Sequence, residues 1–251
     1  MSGHSKWANI KHRKAAQDAK KGNERQKIIK AIIIAAKEGG GDPGMNMRLK
    51  SALEHARDAS VPNDSIARAI KRGTGELEGV SYEELIYEGY GVDGVALICE
   101  CTTDNRNRTT PEIRAILERN GGSMGTAGSV AWNFERKGHI TIEGQPNEDQ
   151  LMEDSIDAGA DDVAIDENGV VVTTEPEDML GVREALEKKG YKIGEAENIY
   201  VPKTTITIDS VEKARKMLKL MDLLESHDDI QNVFANYEFT DAVQEALDAE
   251  E

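Results

Sequence analysis

The chain has 251 residues, 38% hydrophobic and 31% charged, with a formal charge of −16 and a pI near 4.8. That length suits roughly two domains or three smaller ones. No apolar run approaches the roughly 20 residues needed to cross a bilayer, and the start lacks both the apolar core of a secretory signal and an Arg-rich transit pattern, so a cytoplasmic protein without a membrane partner is expected.

The net charge alone would argue against nucleic acid, but its distribution does not. Residues 1–73 hold 16 Lys/Arg against 7 Asp/Glu, a net of +9, while residues 74–251 hold 15 against 40, a net of −25. This is the pattern of a polyanion-binding module on an acidic body. The excess is densest in a basic N-terminal arm, residues 1–22, where Lys6, Lys11, Arg13, Lys14, Lys20 and Lys21 face one acid, Asp18. Trp7 and Ile10 are its only large apolar side chains, too few for a core. The arm's candidate contacts are Lys6, Trp7, Lys11, His12, Arg13, Lys14, Lys20 and Lys21. Trp7 could stack on an unpaired base or dock on the protein's own helices, and both readings stay open.

A helical domain, residues 23–73, follows. Asn23 offers an N-cap with Gln26 at the capping-box position. Ile28, Ile29, Ile32, Ile33 and Ala36 recur at helical spacing before Gly39-Gly40-Gly41. Asp42-Pro43 is expected to open a second helix burying Met45, Leu49, Ala52, Leu53 and Ala56. A third runs from Asp64 to Arg72, placing Arg68, Lys71 and Arg72 on one face. Asp64 at its start does not suit a recognition helix entering the major groove, so phosphate contact is expected there instead of base reading. Residues 74–80 read as a linker.

The pattern then turns to strands. Tyr82–Tyr90 and Val95–Thr102 read as strands, Thr109 or Thr110 as the cap of a helix with Pro111 in its first turn, and Val130–Glu135 as another strand. Cys99 and Cys101, alternate positions of one strand without a second pair, are expected as buried thiols and no metal or cofactor is implied. Residues 138–201 read as a complete β-α-β-β-α-β unit with a hairpin across Glu167-Asn168. Thr204–Ile208, Ser210–Leu224 and Asp229–Glu238 add strand, helix and strand, and Asp241–Glu251 an acidic helix. The expected fold is α+β in three domains: an N-terminal three-helix domain, a ferredoxin-like domain split over 81–137 and 202–240, and a second ferredoxin-like domain inserted at 138–201.

Two segments invite a chemical reading. In TDNRNRTT, residues 103–110, Arg106 and Arg108 leave a strand just before a helix N-terminus, which suits either a phosphate site or a capping loop whose arginines pair with nearby acids. The glycine-rich run 121–128 matches no nucleotide-binding signature and lies between helix and strand, so a turn is favoured over a contact loop. The five histidines lack metal-ligand spacing, no G-x-S-x-G elbow is present, and no small-molecule substrate or catalytic set is expected.

The start SGHSKWANIKHRKAAQDAKKG, the segment TDNRNRT and the run GGSMGTAGSVAWNF closely resemble the YebC family, with similarity across essentially the whole chain. The resemblance implies one helical and two α/β domains and no catalytic residue. It implies either a translation factor bound to ribosomes or structured RNA, assisting difficult stretches such as proline runs, or a DNA-binding transcriptional regulator. The residues favour the first, a non-enzymatic factor gripping folded RNA, because no recognition helix is evident.

Overall fold

The computed structural model describes residues 21–166 and 169–249. The arm through Lys20, the Glu167-Asn168 turn and the last two residues lie outside the described residues. Two compact units emerge, residues 131–206 and residues 21–130 with 207–249.

The chain enters the second of these through three helices: α1 (Lys21–Gly39), α2 (Met47–Asp58) and α3 (Asn63–Gly73). Ile32, Ile33, Ala35, Leu49, Ala52, Ala56, Val61 and Ala69 bury against one another, as the apolar spacing requires. Two expected starts are corrected. The helix runs through Asn23, which therefore does not cap it. Asp42-Pro43 forms a turn, and Asn46 caps α2 instead, accepting from the Leu49 amide, so Met45 precedes the helix and is exposed instead of lying on its buried face. Gly73 does more than stop α3. A Cβ there would lie 2.5 Å from the Ile33 carbonyl oxygen, so glycine permits the close crossing of α1 and α3.

Strands β1 (Glu83–Tyr90) and β2 (Ala96–Thr103) form an antiparallel hairpin in continuous register from Glu83–Thr103 to Tyr90–Ala96. Helix α4 follows at Arg106–Arg119 and β3 at Ser123–Met124. Asn105 caps α4, so Thr109, Thr110 and Pro111 lie within the helix instead of starting it. Thr110 turns its hydroxyl back onto the Arg106 carbonyl, while Thr109 directs its hydroxyl to Asp229. The strand expected at Val130–Glu135 is instead a 3-10 turn, Ala131–Asn133, from which the chain leaves this unit.

Residues 131–206 then build β4 (Phe134–Ile142), α5 (Glu148–Asp157), β5 (Asp162–Asp166), β6 (Gly169–Thr174), α6 (Met179–Lys188) and β7 (Ile193–Pro202). Their antiparallel sheet has the order β5-β6-β4-β7, the strand arrangement of a ferredoxin-like β-α-β-β-α-β unit. The unit is wider than the expected 138–201 because Phe134 already pairs with Pro202. Asn133 closes its base: the side chain bonds the amide, hydroxyl and carbonyl of Thr204 at 3.1, 2.7 and 3.0 Å.

The chain returns through β8 (Ile206–Ile208), α7 (Val211–Glu225), β9 (Ile230–Ala235), β10 (Tyr237–Phe239) and α8 (Asp241–Asp248). The first sheet has the order β3-β1-β2-β9, while β8 pairs with β10 outside it. The expectation that Thr204–Ile208 supplies a strand of the main sheet is therefore corrected. β1, tied to β2 by a tight turn, occupies the inner position, and a hairpin neighbour closes at less entropic cost than a strand over a hundred residues away. Val243 and Leu247 of α8 are buried, so the acidic tail helix packs onto the unit.

Candidate nucleic-acid interface

The structure sorts the cations of the N-terminal third into two groups. Lys27 donates to the Glu225 carbonyl at 2.8 Å, and Lys37 to Ser81 Oγ and the Tyr82 carbonyl at 3.1 and 3.0 Å. Arg48 bridges Glu38 and Glu84. Lys30 donates to Asp229 Oδ1 at 2.7 Å. These four fasten the helices to the first sheet and its connections. Sequence counting could not separate them, because their acceptors are remote or main-chain atoms.

The second group is exposed and uncommitted. The side chains of Lys71 and Arg72 in the last turn of α3 form no ion pair or hydrogen bond among the described residues, and the same holds for Arg57 at the end of α2. Arg68 donates through Nε to the Asp64 carbonyl at 3.1 Å and keeps the rest of its guanidinium outward. The predicted face of Arg68, Lys71 and Arg72 thus exists as an exposed basic surface at a helix C-terminus, where cations also offset the helix dipole. The arm candidates Lys6, Trp7, Lys11, His12, Arg13, Lys14 and Lys20 lie outside the described residues, and Lys21 begins α1.

The TDNRNRTT segment resolves differently for its two arginines. Asp229, its side chain only 3% exposed, collects Lys30, Arg108 Nη2 at 2.6 Å, Thr109 Oγ1 at 2.7 Å and Thr103 Oγ1 at 3.2 Å. Burial by itself would raise this carboxyl's pKa, but the donors from Lys30, Arg108 and Thr109 outweigh it and hold the group well below the usual carboxylate range. Arg108 also donates to Asp104 at 3.0 Å. Its guanidinium is therefore committed to acids, the capping-loop alternative. Arg106, at the start of α4, is exposed and lines a shallow groove with Asn107, Thr110, Pro111 and Arg114. Asp229 carried no signal in the sequence beyond being one acid among many.

The glycine-rich run is a held turn. The Gly125 amide donates to the Glu88 carbonyl at 2.8 Å, and the amides of Gly128 and Val130 donate to the Glu88 carboxylate at 2.5 and 2.7 Å. These amides face Glu88, so they are not presented to a phosphate. Glu88 is one of three glutamates in β1, and only the fold distinguishes it, by burying it while Glu83 and Glu84 stay exposed.

Among the described residues no group of three or more His, Cys, Asp or Glu could hold a metal ion, and no helix is long and apolar enough to cross a membrane. Cys99 and Cys101 are buried and free, and burial pushes the Cys101 thiol pKa up.

The model of the TACO1/YebC N-terminal domain matches residues 5–76, and that of the TACO1/YebC second and third domain matches residues 82–237. A probable transcriptional regulatory protein of Dictyoglomus turgidum is 54% identical over 249 residues, 98% of this chain and 100% of that one. Another from Halothermothrix orenii is 49% identical and covers 100% of both chains. The crystal structure of a conserved hypothetical protein from Aquifex aeolicus superposes with a TM-score of 0.82 at 44% identity, over 89% of this chain and 93% of that one.

Proposed function

The chain belongs to the TACO1/YebC family, and from that premise we propose that it is a non-enzymatic regulator of gene expression that binds nucleic acid through its basic N-terminal third. The preferred target is structured RNA on the ribosome, where the protein assists synthesis of difficult stretches such as proline runs. The observation that carries this reading is the split among the cations. Lys27, Lys30, Lys37 and Arg48 are used within the fold, which leaves the arm, Arg68, Lys71, Arg72 and the exposed Arg106 to meet phosphates. Arg108 is withdrawn from the contact set because its guanidinium serves Asp229 and Asp104.

A second reading, a duplex-DNA-binding transcriptional regulator, is favoured by the relatives' name. Against it, the start of α3 carries Asp64 while its cations gather at the other end, the reverse of a helix reading bases with its first turn. The −25 remainder repels phosphate elsewhere and orients the basic end toward the polymer.

Ribosome co-sedimentation and RNA anisotropy of the full chain, a form lacking residues 1–22, and a form with Lys11, Arg13 and Lys14 changed to alanine test the proposal. With about four phosphates contacted, the log–log salt slope is about −3 to −4. The two altered forms lose binding. Equal affinity for random duplex DNA favours the second reading, and undiminished RNA binding by the truncated form overturns the first.

A further inference from the structure

We propose that Met45 and Met47, on the turn joining α1 to α2, form an apolar contact that inserts against unpaired bases while Lys71 and Arg72 hold the neighbouring phosphates. This rests on the nucleic-acid reading above and adds to it a base-contacting element with no charge.

The turn, GGGDPGMNM at residues 39–47, is held from several sides. Asn46 is 6% exposed, and its side chain donates to the carbonyls of Ala35 and Gly40, both at 2.8 Å, while accepting from the Leu49 amide at 3.0 Å. Gly39 makes room for it, since a Cβ there would lie 2.7 Å from the Asn46 side chain. The Gly44 amide bonds Asp42 Oδ1 at 2.9 Å and the Met45 amide bonds the Asp42 carbonyl at 3.1 Å. Gly41 rests on Ile70 and Thr74, its Cβ position 3.0 and 3.1 Å from their methyl carbons. The turn therefore sits against the last turn of α3, where Lys71 and Arg72 are uncommitted.

On this fixed frame the residues on either side of the buried anchor point outward, Met45 at 84% exposure and Met47 at 53%. Met45 lies in the turn before the helix cap and Met47 is the first residue of α2, on either side of the buried Asn46. A lone exposed apolar side chain is ordinary. Two thioethers presented on one rigid turn beside unpaired cations are a surface. Methionine is unbranched and polarisable and adapts to irregular partners, and apolar wedges of this kind contact bases in many nucleic-acid complexes. The adjoining cations select a polyanion over an apolar protein groove as the occupant.

The test is fluorescence anisotropy of the full chain with a labelled RNA hairpin bearing an unpaired loop, against a fully paired RNA duplex of equal length, across a salt series. Replacing Met45 and Met47 together by alanine weakens hairpin binding about tenfold, the scale of losing one buried thioether. The salt slope and the duplex affinity stay unchanged. Leucine at both positions restores most of the affinity. Replacing Lys71 and Arg72 by alanine weakens both RNAs and lowers the slope by about two. Unaltered hairpin affinity of the double alanine variant, or a change in its salt slope, overturns the inference while the function above survives. Absence of RNA binding by the unmodified chain overturns both.

Discussion

Lys30, in the first helix, donates a 2.7 Å hydrogen bond to Asp229, 199 positions further along the chain. The carboxylate is almost wholly buried, and its second oxygen takes Arg108, Thr109 and Thr103. One acid thus ties α1 to the end of β2, the start of α4 and the α7–β9 connection. A carboxylate out of water persists only when fully partnered, and this one is.

Replacing Asp229 by asparagine leaves Lys30 and Arg108 facing a buried neutral group. A loss of about 3 kcal/mol in urea unfolding is expected, the scale of breaking a buried ion pair. Arg108→Ala costs less, about 1 kcal/mol, because that side chain is 44% exposed. Since the folded carboxyl titrates below its unfolded value, its contribution is complete above the ordinary carboxylate range and drains away as pH falls through the folded value. The acid limb of the stability curve is therefore flatter in the asparagine variant. Wild-type stability in that variant would show the hub to be incidental.

Glu88→Ala frees the amides of Gly128 and Val130 and should cost about 2 kcal/mol, the range for hydrogen bonds to a charged acceptor. Hydrogen exchange at those two amides rises in advance of any change in α1–α3. Glutamine, which retains one acceptor oxygen, falls between. Uniform exchange across the unit would mean that the turn holds itself without the clamp.

Asn133→Ala removes the side-chain bonds to the amide, hydroxyl and carbonyl of Thr204. A cost of about 2 kcal/mol to the 131–206 unit is expected. Local opening at residues 131–134 and 202–205 should appear by hydrogen exchange while the Ile140–Val172 core remains protected. Simultaneous exposure of the core would place the weak point elsewhere.

His139 is 3% exposed on β4, and burial lowers its pKa to about 4. The unfolded chain takes up a proton near pH 6.5 that the folded one refuses, so stability falls as pH is lowered from about 6.5 toward 4. The shift corresponds to at most about 3 kcal/mol over that window. His139→Gln removes the dependence, and urea midpoints collected through the window for both forms check it. An unchanged slope in the variant would assign the dependence to other groups.

Sequence alone determined what local rules govern. The three helices followed from apolar residues at helical spacing, and the inserted β-α-β-β-α-β unit from its alternation of strand and helix patterns. The basic N-terminal third followed from charge counting. Chain order could not decide which strands share a sheet, so β1 took the place expected for β8, and Phe134 went to the second sheet instead of the first. Pairing of that kind is settled by what closes at least entropic cost and buries the most, which are properties of the assembled chain. The same holds at the interface. Lys30 and Lys71 are one residue type in one segment, but only the fold brings Asp229 to the first and leaves the second facing water. A charge far away in sequence decides whether a lysine fastens the protein or remains available to a phosphate.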